Sequence, residues 1–155
     1  MSDLTLIRTD SDHADFRQLV ALLDQDLAVR DGDDHAFYAQ FNQVDAIKEV
    51  VVAYQRGLPV ACGAIKPFST TAAEVKRMFV HPDYRKQGIA SQIVTELENW
   101  AVELGFTTTI LETGKKQPEA IALYQKIGYR ITDNYGQYIG IDNSVCMTKP
   151  LIAKP

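Results

Sequence analysis

Glu74-Val-Lys-Arg-Met-Phe-Val-His-Pro-Asp-Tyr-Arg-Lys-Gln-Gly-Ile-Ala-Ser-Gln-Ile-Val94 changes its periodicity in the middle. Up to Val80 the side chains alternate, as in a half-buried strand. From Ile89 the apolar residues Ile89, Ile93, Leu97, Trp100 and Leu104 fall three or four apart, as on one face of a helix. A strand therefore feeds a helix through a turn at His81-Pro82-Asp83 and a basic segment, Arg85 to Ala90. Unpaired N–H groups and the positive end of the peptide dipoles make a helix start suited to an anion, above all a phosphate. Gly88 lets backbone and anion approach closely.

Outward from this stretch, the elements alternate in kind. On the N-terminal side, Leu4 to Thr9 reads as a strand and Ser11-Asp12 as the cap of a helix with the stripe Phe16, Leu19, Val20, Leu23 and Leu27. Arg30 to Asp34 breaks that helix. His35 to Phe41 reads as a second short helix or ordered loop carrying Phe37, Tyr38 and Phe41, rings that fit either a substrate lip or a core cover. Ile47 to Tyr54 and Pro59 to Ile65 form a hairpin, and Thr70 to Val80 adds a third strand. On the C-terminal side, Gly105 ends the helix and Phe106 to Glu112 reads as a strand, giving a parallel crossover. Gln117-Pro118 opens another helix that Gly128 closes, and Tyr129 to Thr132 and Ser144 to Thr148 supply the last strands. The expected fold is α+β: one domain over 1–155, a mixed, mostly antiparallel sheet with helices on both faces and a central strand–helix–strand unit.

Composition narrows the chemistry. The 155 residues are 46% hydrophobic and 23% charged, ordinary for a folded chain. Residues 1–50 carry 11 acidic against 4 basic residues and the remainder 9 against 12, so the first third is acidic and the rest mildly basic. That division suits a cationic substrate at the first part and a phosphorylated ligand at the second, and it disfavours nucleic acid. The start lacks a signal-peptide pattern and no apolar run is long enough to span a bilayer, so a cytoplasmic protein without membrane attachment is expected. Cys62 and Cys146 have no CxxC or His neighbours, and His13, His35 and His81 are scattered, so no metal site is expected. Neither a Walker loop nor a three-glycine dinucleotide fingerprint is present.

Two motifs carry a resemblance. Arg85-x-x-Gly88-x-Ala90, between strand and helix, and Leu123-Tyr124-x-x-x-Gly128-Tyr129 resemble the paired signatures of the GNAT superfamily of acyl-CoA N-acetyltransferases, whose element order matches nearly the whole chain. The resemblance implies acetyl-CoA as co-substrate, with the pantetheine arm along Met78, Phe79 and Val80. It implies the pyrophosphate on the amides of Lys86, Gln87, Gly88, Ile89, Ala90 and Ser91 beside Arg85. It also implies Tyr124, near the thiol, as the acid for the departing thiolate, and a homodimer as a reasonable expectation. Where the family often has Asn, this chain has Gln117.

An alkylammonium has a pKa of roughly 10, so the attacking amine must first lose a proton. Glu74, eleven residues before Arg85, stands where histone-type relatives carry a glutamate base, and strict alternation would put it on the face of Met78 and Val80. Its ordinary alternative is an exposed glutamate paired with a lysine. Glu112 on the next strand is the second candidate. A strand N–H near Phe79 or Val80 would steady the oxyanion. The reading is acetyl transfer to a primary amine, a small cation or a lysine side chain, by direct attack. A degenerate acyl-CoA-binding regulator and an unrelated anion-binding domain stand as the alternatives. No motif in Asp26–Asp45 or Asn134–Asn143, where acceptor specificity is expected to reside, identifies the amine.

Overall fold

The structure, a computed structural model, describes residues 3–32 and 46–152, save the side chains of Arg30 and Asp31. The expected element at His35–Phe41 lies outside them. In chain order the elements are β1 (Leu4–Thr9), α1 (Ala14–Asp31), β2 (Glu49–Gln55), β3 (Leu58–Pro67), β4 (Ala72–Val80), α2 (Ile89–Glu103), β5 (Thr108–Gly114), α3 (Pro118–Lys126), β6 (Arg130–Thr132) and β7 (Ser144–Pro150), with 3-10 turns at Pro82–Tyr84 and Gly136–Tyr138. The strands form one sheet in the order β1-β2-β3-β4-β5-β7-β6. Every pairing is antiparallel except β4 with β5, which the α2 crossover makes parallel. The α+β expectation holds, with element ends shifted by a few residues.

The spacing of apolar residues decides which helix covers which face. In α1, Phe16, Leu19, Val20 and Leu23 recur at helical intervals and pack on Val50, Val52, Cys62, Ala64 and Phe79. In α2, Ile89, Ile93, Val94, Leu97 and Ala101 cover the opposite face, against Val51, Ala61, Ile65 and Val75, where Tyr124 of α3 and Tyr129 join them. Burying each aliphatic side chain of this kind is worth roughly 1.5–3 kcal/mol over leaving it wet. The cap of α1 differs from expectation. His13 accepts from the Asp15 amide through Nδ1 at 3.2 Å. Ser11 is occupied elsewhere: its N–H donates to the Ile47 carbonyl and its Oγ accepts from the Ile47 amide, both at 2.9 Å, which ties the start of α1 to the entry of β2.

Two irregularities shape the middle of the sheet. First, β4 and β5 pair only at Ala72↔Thr108, Ala73↔Thr109 and Glu74↔Ile110, although both strands run on. Second, β4 carries a bulge. Cys62 pairs with Phe79 and Ala64 with Lys76, so Arg77 and Met78 together oppose Gly63, and Arg77 takes φ 61°. The extra residue reverses the alternation. Val75, Met78 and Val80 face α2, whereas Phe79 packs on the α1 side. Glu74 and Lys76, on the other parity from Val75, share the α1 side. The expectation that Glu74 lies on the face of Met78 and Val80 is therefore wrong, because the bulge between them shifts the parity by one.

Candidate active site

The parting of β4 from β5 opens the sheet, and a cavity stands on each side of the gap. The first, of about 350 Å³, is lined by Met78, Phe79 and Val80, by Arg85, Lys86, Gly88, Ile89, Ala90 and Ser91, and by Tyr124 of α3. All the expected cofactor residues but Gln87 line it. The loop is built to present amides. Lys86 and Gly88 adopt left-handed backbone, at φ 64° and 80°, and Gly88 is the N-cap of α2 with no side-chain cap, which leaves the first N–H groups of the helix to the cavity. A Cβ on Gly88 would meet no protein atom within 4 Å, so the space in front of it is open for a ligand. These features fit the diphosphate of acetyl-CoA.

Arg85 has a different task from the one its charge suggests. Its Nε donates to the Val80 carbonyl at 2.8 Å, its guanidinium stands 3.5 Å from the Asp26 carboxylate of α1, and it lies over the Phe79 ring. It pins the loop to the end of β4 and to α1. His81 steadies the same turn by accepting from the Asp83 amide at 3.2 Å.

The second cavity, of about 150 Å³, reaches the other face. Glu74, Lys76, Arg77, Glu112, Thr113 and Tyr138 line it together with Leu23 and Leu27 of α1. Leu23, Met78, Gln117, Ala120 and Tyr124 belong to both cavities. Both candidate bases thus stand on this second cavity and Tyr124 at the junction of the two. Glu74 is 6% exposed, which removes the reading of a solvated strand glutamate, although Lys66 is its register partner on β3. The Tyr135 hydroxyl donates to Glu74 Oε2 at 2.7 Å. Burial lowers the pKa of Lys76, while Glu74 and Glu112 act in the opposite sense. Arg77, with its side chain 2% exposed, meets Asp24 of α1 at 3.3 Å.

Burial pushes the Tyr124 phenol well above its ordinary range, so it stays protonated at neutral pH and remains a donor. Its hydroxyl makes no hydrogen bond to the described residues. The Tyr129 hydroxyl, by contrast, bonds Thr109 Oγ1 at 2.7 Å and Glu98 Oε2 at 2.9 Å, and Lys149 Nζ reaches Glu98 at 3.0 Å and the Ile127 carbonyl at 2.9 Å. That network locks α2, β5, β7 and the end of α3 together. It also holds the Tyr129 ring 5.8 Å from that of Tyr124. Of the two signature tyrosines one is tethered and the other is available.

Sequence reasoning missed Tyr135, Tyr138, Lys76 and the Arg77–Asp24 pair. The first two sit between β6 and β7 without a motif, and the others emerge only once the bulge is known.

Comparison with known proteins agrees with this geometry. Residues 15–129 match the profile of the Acetyltransferase (GNAT) family. The chain is 38% identical over 102 residues to an "IAA acetyltransferase" of Azospirillum brasilense, covering 65% of this chain and 67% of that protein. It is 32% identical over 92 residues to YsnE of Bacillus subtilis, named an N-acetyltransferase, covering 58% and 61%. The matches thus span about three fifths to two thirds of these relatives. Among solved structures, a protein of Klebsiella pneumoniae named an acyl-CoA N-acyltransferase superposes with a TM-score of 0.80 at 28% identity, covering 96% of this chain and 98% of that one. A GNAT family acetyltransferase of Elizabethkingia anophelis, solved with acetyl-CoA bound, shares the fold at a TM-score of 0.70 and 18% identity, covering 97% and 100%. With most of the chain matched by one family profile, and a strand that parts from its neighbour beside a glycine-capped helix, the reading as an unrelated anion-binding domain falls away: the chain belongs to the GNAT family of acetyltransferases.

Proposed function

We propose that this protein transfers acetyl from acetyl-CoA to a primary amine, a small cation or a lysine side chain, by direct attack. The observation that carries the reading is the pair of cavities joined at Tyr124 and Met78, one lined by helix-start amides and the other by two carboxylates. When bound, acetyl-CoA supplies the activated acetyl thioester. The amides of Lys86 to Ser91 hold the diphosphate, and the edge of β4 at Met78–Val80, freed by the parting from β5, offers backbone groups to the pantetheine arm. Tyr124, protonated and untethered, donates to the leaving sulfur. Glu74 takes the proton of the incoming ammonium, directly or through water, with Glu112 next in line. Within the cavity Glu74 and Glu112 are balanced by Lys76 and Arg77, so the preference for a cation over an anion at the acceptor side rests on the acidic excess of the first third of the chain, α1 included.

A thiol-release assay with acetyl-CoA over a panel of small amines and lysine peptides, beside calorimetry with acetyl-CoA alone, tests the reading. Binding with turnover of at least one amine is expected. Binding with no turnover over the whole panel would favour the regulatory alternative, and absence of binding would remove the cofactor assignment.

A further inference from the structure

We infer that Tyr135, carried by the connection between β6 and β7, is a positioning residue that orients Glu74 for its work as a base. The inference rests on the reading of Glu74 as the proton acceptor. No helix among the described residues covers β5 and β7 on the α1 side; that place is taken by this connection, through the contact of Tyr138 with Cys146. The connection is fixed by its own bonds. Asn134 Nδ2 donates to the carbonyls of Tyr138 and Ile141 at 3.0 and 3.1 Å, and the Tyr138 amide donates to the Tyr135 carbonyl at 2.9 Å. Phe68, at the end of β3, and Tyr138 hold the Tyr135 ring edge-on from two sides, at 5.0 and 5.8 Å between centroids. A phenol so held has little freedom to place its hydroxyl anywhere but on Glu74 Oε2, 2.7 Å away. The second Glu74 oxygen makes no hydrogen bond to the described residues, while the side chain lines the acceptor cavity. One oxygen is anchored and the other is left for a proton.

Among the described residues, the charged and titratable surroundings of Glu74 are these. Lys66 faces it from β3, Lys76 follows it on β4, Glu112 stands on β5, and Tyr135, Tyr138 and Cys146 stand on the far side. Arg77, next along β4, is turned to Asp24 of α1. Burial and the neighbouring carboxylate keep the Tyr135 phenol protonated, so it is a donor at every working pH. A donor on a carboxylate stabilises its charged form. Deleting the hydroxyl must therefore make Glu74 easier to protonate, and the acid limb of the rate profile moves to higher pH.

The test is Tyr135→Phe, which keeps the ring and its contacts. In protein labelled with 13Cδ glutamate, the Glu74 signal is assigned by its loss in Glu74→Gln, and its midpoint on acidification is expected to rise by about one pH unit in Tyr135→Phe. With the best amine of the panel, the acid limb should rise by the same amount and kcat should fall, with acetyl-CoA affinity unchanged. An unmoved carboxyl midpoint overturns the inference whatever the activity does. If the midpoint moves but Glu74→Gln leaves the acid limb of the wild-type profile in place, the reading of Glu74 as the base fails while the contact stands.

Discussion

Tyr124 and Tyr129 stand five residues apart in one signature, yet they are opposites in their surroundings. Tyr129 spends its hydroxyl on Thr109 and Glu98, and Tyr124 keeps its own for the junction of the two cavities. Tyr124→Phe should accordingly lower kcat on the order of 100-fold, the usual worth of a positioned acid, with little change in acetyl-CoA affinity. Steady-state kinetics beside calorimetry checks it, and equal losses in both would make the residue a binding wall. Glu74→Gln should abolish the acid limb of the pH–rate profile. If the limb is unmoved, Glu112 inherits the role and the same measurement on Glu112→Gln decides. The two signatures made Tyr124 and Arg85 legible from sequence. The orientation of Arg85 was not, because its partners, the Val80 carbonyl and Asp26, are a strand end and a helix that tertiary folding brings beside it.

At the scale of elements, β4 and the start of α2 carry the site, and each depends on a glycine. Gly88 has φ 80° and open space where its Cβ would lie, so Gly88→Trp should keep the fold, at a cost of about 1–2 kcal/mol for the left-handed backbone, and abolish acetyl-CoA binding, as circular dichroism beside calorimetry would report. Gly63 is the reverse case. A Cβ there would press on Met78 Sδ and lie 2.9 Å from Ile93 Cγ2, so Gly63→Ala should cost about 1–3 kcal/mol in chemical denaturation and push Met78 toward the cofactor side. The strand-to-helix transition at Val80–Ile89 could be read from the change of period, whereas the bulge could not. Arg77, a residue with no glycine-like freedom, adopts left-handed backbone at the bulge, and its guanidinium meets Asp24 on a helix 53 positions away. Missing that one inserted residue placed Glu74 on the wrong face.

Over the whole molecule, the sheet is two antiparallel blocks, β1–β4 and β5–β7–β6, joined through three parallel pairs. The proposed cofactor lies across that junction, and it should therefore stabilise the whole. At a concentration roughly 100 times Kd the gain is about 2.7 kcal/mol, which in a chain of this size is a rise in Tm of about 5–10 °C. A thermal melt with and without acetyl-CoA reads it, and Gly88→Trp should show no rise. The β2–β3–β4 meander and the parallel crossover to β5 were legible from hairpin spacing and the α2 periodicity, whereas the insertion of β7 between β5 and β6 was not. The connection from Asp133 to Asn143 was not, for its hold on Glu74 is made by a single phenol whose reach only the folded chain reveals.

The last rung of the parallel ladder is Glu74 itself, opposite Ile110. Beyond it, amides of Met78–Val80 that do not face β3 have no strand of β5 to bond, so they should exchange their hydrogens with solvent faster than those of Ala72 to Glu74. Adding acetyl-CoA should slow them, the ligand serving in deuterium uptake as the missing eighth strand of the sheet.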